Sequence, residues 1–325
     1  MIDDLNEMPN SIKNIVVVGQ GAIGLLWYHH LSQQAEKHQV SLLASNQHSL
    51  STKELSSANY YFTPYQQKAA TSYLLNYCQD KDLQQAQLVI LCLKSYQIAK
   101  ALKTLAHSIN KDCIVILAHN GMGTIEEAAN VLPEKQTIIA MLTTHGCLRT
   151  GNLTIVHTGI GQSDIGLLSG QLSKSRQEQL TNILNQALPD VSFHKDIVEK
   201  QWLKLAINCV INPITAINDM DNGDINHQQF SAQITQLLSE ICQVANAVGV
   251  ELQLEYLQGL VTKVAKATAK NCSSMRCDII ADKPTEIDYI NGYIHRLGQQ
   301  YGIATPQNTK LWQQVFALST TAKQQ

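Results

Sequence analysis

The stretch Asn14-Ile15-Val16-Val17-Val18-Gly19-Gln20-Gly21-Ala22-Ile23-Gly24 decides the reading of this chain. Asn14 to Val18 is a short, largely β-branched run that suits a buried strand. The glycines that follow match G-x-G-x-x-G, and apolar residues from Ala22 to Gln34 recur at helical spacing. Strand, glycine turn and helix in that order form the phosphate-binding part of a dinucleotide fold. Gly19 permits the tight turn, Gly21 lets the backbone approach a pyrophosphate, and Gly24 lets helix and strand pack closely. Amides at the helix start then face the negative charge. The plainer alternative is a glycine turn with no ligand; the flanking strand and helix weigh against it.

Downstream the pattern repeats. Val40–Leu43, Leu88–Leu93, Cys113–Leu117 and Gln136–Thr143 read as strands, and Gln97–Ile109 and Ile125–Val131 as helices. Such alternation predicts a parallel sheet with helices on both faces. Leu153–Leu168, with Gly159, Gly161 and Gly166, reads as an antiparallel hairpin at the sheet edge, and Ser173–Ala187 as a helix. Beyond about Asp196 strand signals largely vanish. Segments 196–217, 227–249, 254–269, 285–301 and 305–319 all read as helices. The expectation is a Rossmann-type doubly wound sheet domain over 1–195, binding the dinucleotide, and an all-α domain over 196–325, carrying the substrate and catalytic groups.

Bulk properties narrow the classes. A chain of 325 residues suits about two domains. The net charge is −2 and the basic residues are scattered, which argues against a nucleic-acid partner. None of the eight cysteines forms a C-x-x-C pair, so neither a metal site nor a disulfide framework is expected. Reduced thiols, no signal-peptide pattern over Met1–Lys13 and no apolar run of membrane length predict a cytoplasmic chain without a membrane partner.

The end of the second strand bears on the dinucleotide. An NAD site usually places Asp or Glu about twenty residues past the last glycine, on the ribose 2′-hydroxyl. Here the segment is Leu43-Ala44-Ser45-Asn46-Gln47-His48, with no carboxylate. Ser45, Asn46 and His48 could hold a 2′-phosphate, which favours NADP. The alternative is a surface loop, with selectivity set elsewhere.

Trp202-Leu203-Lys204-Leu205-Ala206-Ile207-Asn208-Cys209-Val210-Ile211-Asn212-Pro213 reads as a buried helix. Lys204, Asn208 and Asn212 stand four apart and share one face. Burying an ammonium and two amides costs free energy unless something polar meets them, and a carboxylate-bearing ligand would. A desolvated lysine can also move protons. The structural alternative is a lysine whose head reaches water. Pro213 should kink or end the helix and leave a carbonyl free.

In Pro284-Thr285-Glu286-Ile287-Asp288, Thr285 reads as an N-cap and Asp288 as a capping-box acid. Glu286 is then either a carboxylate favoured by its own helix dipole or a group that meets the lysine row. Asn120, in His119-Asn120-Gly121-Met122-Gly123, and Lys94 follow predicted parallel strands, where such folds bind ligands. Their alternatives are an Asn-Gly turn and an exposed loop lysine.

At this point the chain resembles the 2-dehydropantoate 2-reductase (ketopantoate reductase) family. The matching stretches are Gly19–Gly24, Leu93-Lys94, His119–Thr124, Trp202–Asn208, Asn212-Pro213, Ser273-Ser274-Met275 and Thr285–Gly292. The resemblance implies that NADPH reduces a small 2-keto acid, 2-dehydropantoate, to pantoate on the route to coenzyme A. It implies Lys204 as general acid and Asn208, Asn212, Asn222, Ser274 and Asn120 as substrate-binding groups. Glu286 would order the complex beside cofactor and substrate, and Lys94 and Asn120 would lie near the nicotinamide. The backbone at Cys147 would touch the cofactor, as would the loop of Gly19, Gln20, Gly21, Ala22, Ile23 and Gly24. Ser45 departs from the family arginine, and Met1–Ile12 is an extension without a catalytic part. A monomer or a homodimer fits. Two rivals are a related hydroxy-acid dehydrogenase with another substrate and an NADP-binding sensor without turnover.

Overall fold

The structure is a computed structural model in which residues 11–44 and 56–321 are described. Ser45, Asn46 and His48, and residues 1–10 of the extension, lie outside them. The chain divides into two compact units. The first comprises Met1–Leu93, Gln97–His119 and Glu126–Ile197; the second comprises Lys94–Tyr96, Asn120–Ile125 and Val198–Gln325.

Along the first part of the chain run β1 (Asn14–Val18), α1 (Ala22–Ser32), β2 (Gln39–Leu43), β3 (Ser57–Thr63), β4 (Thr71–Asn76), α2 (Asp80–Gln84), β5 (Leu88–Leu91) and α3 (Ser95–Leu105). There follow β6 (Ile114–Leu117), α4 (Thr124–Ala129), β7 (Thr137–Thr143), β8 (Gly146–Gly151), β9 (Thr154–Gly159), β10 (Ser163–Ser169), α5 (Lys174–Ala187) and β11 (Val191–Phe193).

The main sheet has seven strands in the order β11-β10-β7-β6-β5-β1-β2. β2, β1, β5, β6 and β7 are parallel, and β5 and β6 are buried along their whole length. This explains their continuous Leu/Ile/Val runs, since a parallel sheet is covered on both faces. Strand order reverses between β1 and β5, so the carboxyl end of β1 is the point where such sheets bind ligands.

The hairpin predicted at the edge of this sheet is corrected. β9 pairs with β8 in a separate four-stranded sheet, β4-β3-β9-β8, whereas β10 runs antiparallel beside β7 with β11 outside it. Gly161 marks the crossing from one sheet to the other. A Cβ there would lie 2.4 Å from the carbonyl carbon of Thr144, so only glycine lets the two segments pass.

The second sheet packs on α1 through an aromatic cluster. His29 stacks on Phe62 with ring centres 3.8 Å apart, and its Nδ1 lies 2.8 Å from the Tyr60 hydroxyl. His30 and His145 each lie close to His157, with ring centres 6.0 Å and 5.5 Å away. Burial, then neighbouring histidines, lowers His29 to about 3 and His30 to about 4.

In the second unit lie α6 (Ile197–Asn218), α7 (Ser231–Ala247), α8 (Leu254–Ala267), α9 (Ser274–Ile280), α10 (Asn291–Tyr301) and α11 (Pro306–Thr321). They enclose a core that includes Trp202, Leu237, Ile241, Leu257, Ile294 and Leu311. Burying each such side chain contributes about 1.5–3 kcal/mol.

Two expectations are corrected here in part, for identifiable reasons. Pro213 does not end α6, which continues to Asn218. The Cys209 carbonyl, deprived of an amide by Pro213, accepts instead from Asn291 Nδ2 at 3.0 Å. Asn291 also donates to Asn308 Oδ1, and Asn308 donates to Glu240, so a buried polar chain replaces one helical bond.

Residues 285–301 are likewise not one helix. A 3-10 turn, Ile287–Tyr289, precedes α10. The carbonyls of Asp288 and Tyr289, which a continuous helix would use, accept instead from Arg296 and from the Met122 amide. Thr285 Oγ1 accepts from Ile287 N at 3.4 Å, a cap-like bond to the 3-10 turn and not to a long helix, whereas Asp288 receives the Trp312 indole N–H at 2.6 Å and does not serve as the predicted capping-box acid.

Among the described residues no helix is long and apolar enough to cross a membrane.

Candidate active site

The glycine loop is in the first unit. Gly19 has φ +108°, and a Cβ on it would come within 2.5 Å of the Cys92 carbonyl oxygen. A Cβ on Gly24 would meet the Gly19 carbonyl oxygen at 2.0 Å. These two glycines hold loop, helix and β5 together. Gly21 differs: a Cβ there would meet nothing within 4 Å, and it precedes α1 with no side-chain cap. Open space at an uncapped helix start suits a diphosphate. Gln20, Ala22 and Ile23 are half-buried around it. Cys147 lies on β8, half-buried, its thiol pushed up to about 12 by burial.

The predicted row is on α6 in the second unit. Lys204 and Asn208 are half-buried and Asn212 is buried. One turn beyond, Thr215 Oγ1 donates to the Ile211 carbonyl at 2.7 Å and meets Ser273 Oγ at 2.8 Å. Ser273 in turn caps α9, accepting from Arg276 N at 3.1 Å, and thereby fixes Ser274 as the first residue of that helix. Arg276 forks between Asp219 at 2.9 Å and Asp221 at 2.6 Å. Asn222 follows; its Nδ2 donates to Thr268 Oγ1 at 3.1 Å and its buried Oδ1 has no hydrogen-bond partner among the described residues.

A second constellation gathers around Glu286, which is 4% exposed. Its Oε1 accepts from the Ser95 amide at 3.0 Å, and its Oε2 accepts from Asn120 Nδ2 at 3.4 Å and lies 3.6 Å from Lys94 Nζ. Glu286 thus sits at the start of α3, not on the dipole of its own helix. Lys94 also pairs with Asp278 Oδ2 at 2.5 Å. Burial disfavours the charged Lys94, but the carboxylates of Glu286 and Asp278 outweigh it and raise the lysine above its ordinary value. Burial raises Asp278, and Lys94 only partly offsets it.

Sequence reading missed Asp278. Its one signal was an acid beside the apolar pair Ile279-Ile280, four residues after Ser274. Among the described residues no group of three or more His, Cys, Asp or Glu could hold a metal ion, and all eight cysteines are free.

A doubly wound sheet unit with a dinucleotide loop and a helical unit bearing a lysine–amide row together define a Rossmann-type oxidoreductase. The chain belongs to the ketopantoate reductase family: residues 15–170 match the family model "Ketopantoate reductase PanE/ApbA", and residues 196–319 match its C-terminal counterpart. It is 36% identical over 306 residues to 2-dehydropantoate 2-reductase of Vibrio cholerae serotype O1, covering 94% of this chain and 97% of that protein. The Shigella flexneri 2-dehydropantoate 2-reductase is 37% identical over 303 residues, 93% of each.

Two solved structures share the fold. A PanE/ApbA family ketopantoate reductase from Ralstonia eutropha JMP134 matches with TM-score 0.81 and 24% identity, over 95% of this chain and 99% of that one. D-mandelate dehydrogenase with NADH and anilino(oxo)acetate matches with TM-score 0.84 and 22% identity, over the same shares.

Proposed function

We propose that this chain reduces 2-dehydropantoate to pantoate with NADPH. The observation that carries the reading is the row of Lys204, Asn208 and Asn212 on one face of α6, with the lysine half-buried. Homologues named 2-dehydropantoate 2-reductase over nearly the whole chain support the substrate. The first unit holds the cofactor by the loop Gly19–Gly24, and the absence of a carboxylate through His48 favours the 2′-phosphate form. When bound, the dihydronicotinamide supplies hydride to the keto carbon.

The second unit supplies the rest. Lys204, as an ammonium, gives a proton to the keto oxygen and stabilises the charge forming there. Asn208, Asn212, Ser274 and Asn222 orient the acid; the unpartnered Asn222 Oδ1 suits a substrate hydroxyl. Asn120 and Lys94 hold the reacting end, with Glu286 fixing both.

The test is NADPH oxidation with 2-dehydropantoate beside pyruvate and 2-oxoisovalerate, repeated with NADH. Fast turnover with 2-dehydropantoate and NADPH alone supports the reading. Preference for another keto acid makes this a hydroxy-acid dehydrogenase of different substrate. Tight NADPH binding without turnover of any acid overturns the enzymatic role.

A further inference from the structure

Lys94 lies between two carboxylates, and the three groups differ in access to water. The Lys94 side chain is 32% exposed, those of Asp278 and Glu286 13% and 4%. Of the three, the Lys94 side chain is therefore the most accessible to an anion arriving from solvent. One cation against two carboxylates already leaves a net negative charge. A further carboxylate is unfavourable there unless a proton enters with it.

The two acids are not equivalent. Glu286 is committed, its oxygens accepting from the Ser95 amide and from Asn120 as well as facing Lys94. Asp278 is held by Lys94, and burial and the nearby Glu286 both favour its neutral form. Among the described residues, the other titratable groups facing this pair include Tyr96, at the start of α3, and Lys283, after α9.

We propose that Asp278 is a proton-linked counter-ion, which takes up a proton as a carboxylate substrate binds and releases the Lys94 ammonium to that substrate. Asp278 acts through Lys94 and is a positioning residue. The proposal rests on the keto-acid reading above. One proton passes from solvent to Asp278 Oδ2, Lys94 stays cationic, and no bond of the substrate changes.

Calorimetric titration of the NADP⁺-loaded protein with 2-dehydropantoate, in buffers of different ionisation heat, counts the protons taken up without turnover. The expected result is uptake approaching one proton near neutral pH. The KM for the keto acid should rise with pH, by up to about tenfold per unit. D278N has nothing to protonate and should lose both the uptake and the slope of KM; D278E should restore them. Native protein that turns the acid over yet takes up no proton overturns the proposal, and so does D278N with native uptake. Because the native protein alone is decisive, a poorly folded variant does not shield the idea. Native protein with no keto-acid turnover overturns the functional reading itself, and this proposal with it.

Discussion

The amide of Ser95 donates to Glu286 Oε1 at 3.0 Å, across 191 positions of sequence. A carboxylate thus covers the first amide of α3, where a helix favours negative charge. The same carboxylate holds Asn120 and faces Lys94. Glu286→Gln keeps the shape and removes the charge. Charge-assisted bonds of this kind contribute about 1.5–3 kcal/mol, so kcat/KM should fall about ten- to a hundredfold. Steady-state kinetics with native-like values would remove Glu286 from the site.

Lys204→Ala should lower kcat by about two orders of magnitude, the range for a lost general acid. The thermal midpoint should change little, because the side chain is only half-buried. Near-normal turnover would leave Lys204 without the assigned role.

The glycine loop separates binding from folding. Gly21→Ala finds open space and an ordinary φ of −73°, so the variant should fold normally yet bind NADPH at least tenfold more weakly. Gly24→Ala drives a methyl into the Gly19 carbonyl, and should destabilise the protein by about 1–3 kcal/mol or more. Fluorescence titration and urea unfolding measure the two effects. Equal NADPH affinity in Gly21→Ala would deny that the open space takes the diphosphate.

Asn291→Ala strands the Cys209 carbonyl and leaves Asn308 Oδ1 short of a donor. The expected cost is about 2–4 kcal/mol in urea unfolding. Pro213→Ala restores an amide that can bond Cys209, so Asn291→Ala should cost less in that background. Strict additivity of the two changes would show that Asn291 does not stand in for the missing helical bond.

Acid should weaken the first unit. His29 and His30 titrate at about 3 and about 4 when folded, against 6.5 when free, because burial and neighbouring imidazoles resist a charge. The folded state therefore binds fewer protons. The stabilisation is complete above about pH 6.5 and is lost as pH falls below it. Allowing for partial solvent access, the loss near pH 5 is about 2–4 kcal/mol. Denaturation midpoints that match at pH 5 and pH 7.5 would contradict this, and His30→Gln should recover part of the loss.

Legibility followed the range of the interactions. The strand–glycine–helix unit and the Lys204–Asn208–Asn212 row were readable because each is written within a few turns of chain. β3 and β4 were not anticipated. Their outward residues include exposed Tyr61 and Leu74, so polarity does not alternate clearly along them. β11 has only three residues, too few for a period. Pro213 misled because its rescue comes from Asn291, 82 positions from Cys209. The pairing of Lys94 with Asp278 spans 184 positions and has no local pattern at all.

The short segments Lys94–Tyr96 and Asn120–Ile125 belong to the helical unit, although they follow strands of the sheet. Modularity here is spatial and does not follow the order of the chain. A fragment excised at Val198 would keep Asp278 and Glu286 but leave their lysine behind. It would bury two like charges with neither cation nor helix start to receive them. The match to the C-terminal family model begins at residue 196, close to that point in sequence. Swapping halves between relatives there would therefore require the Lys94 and Asn120 loops to travel with the helices they complete.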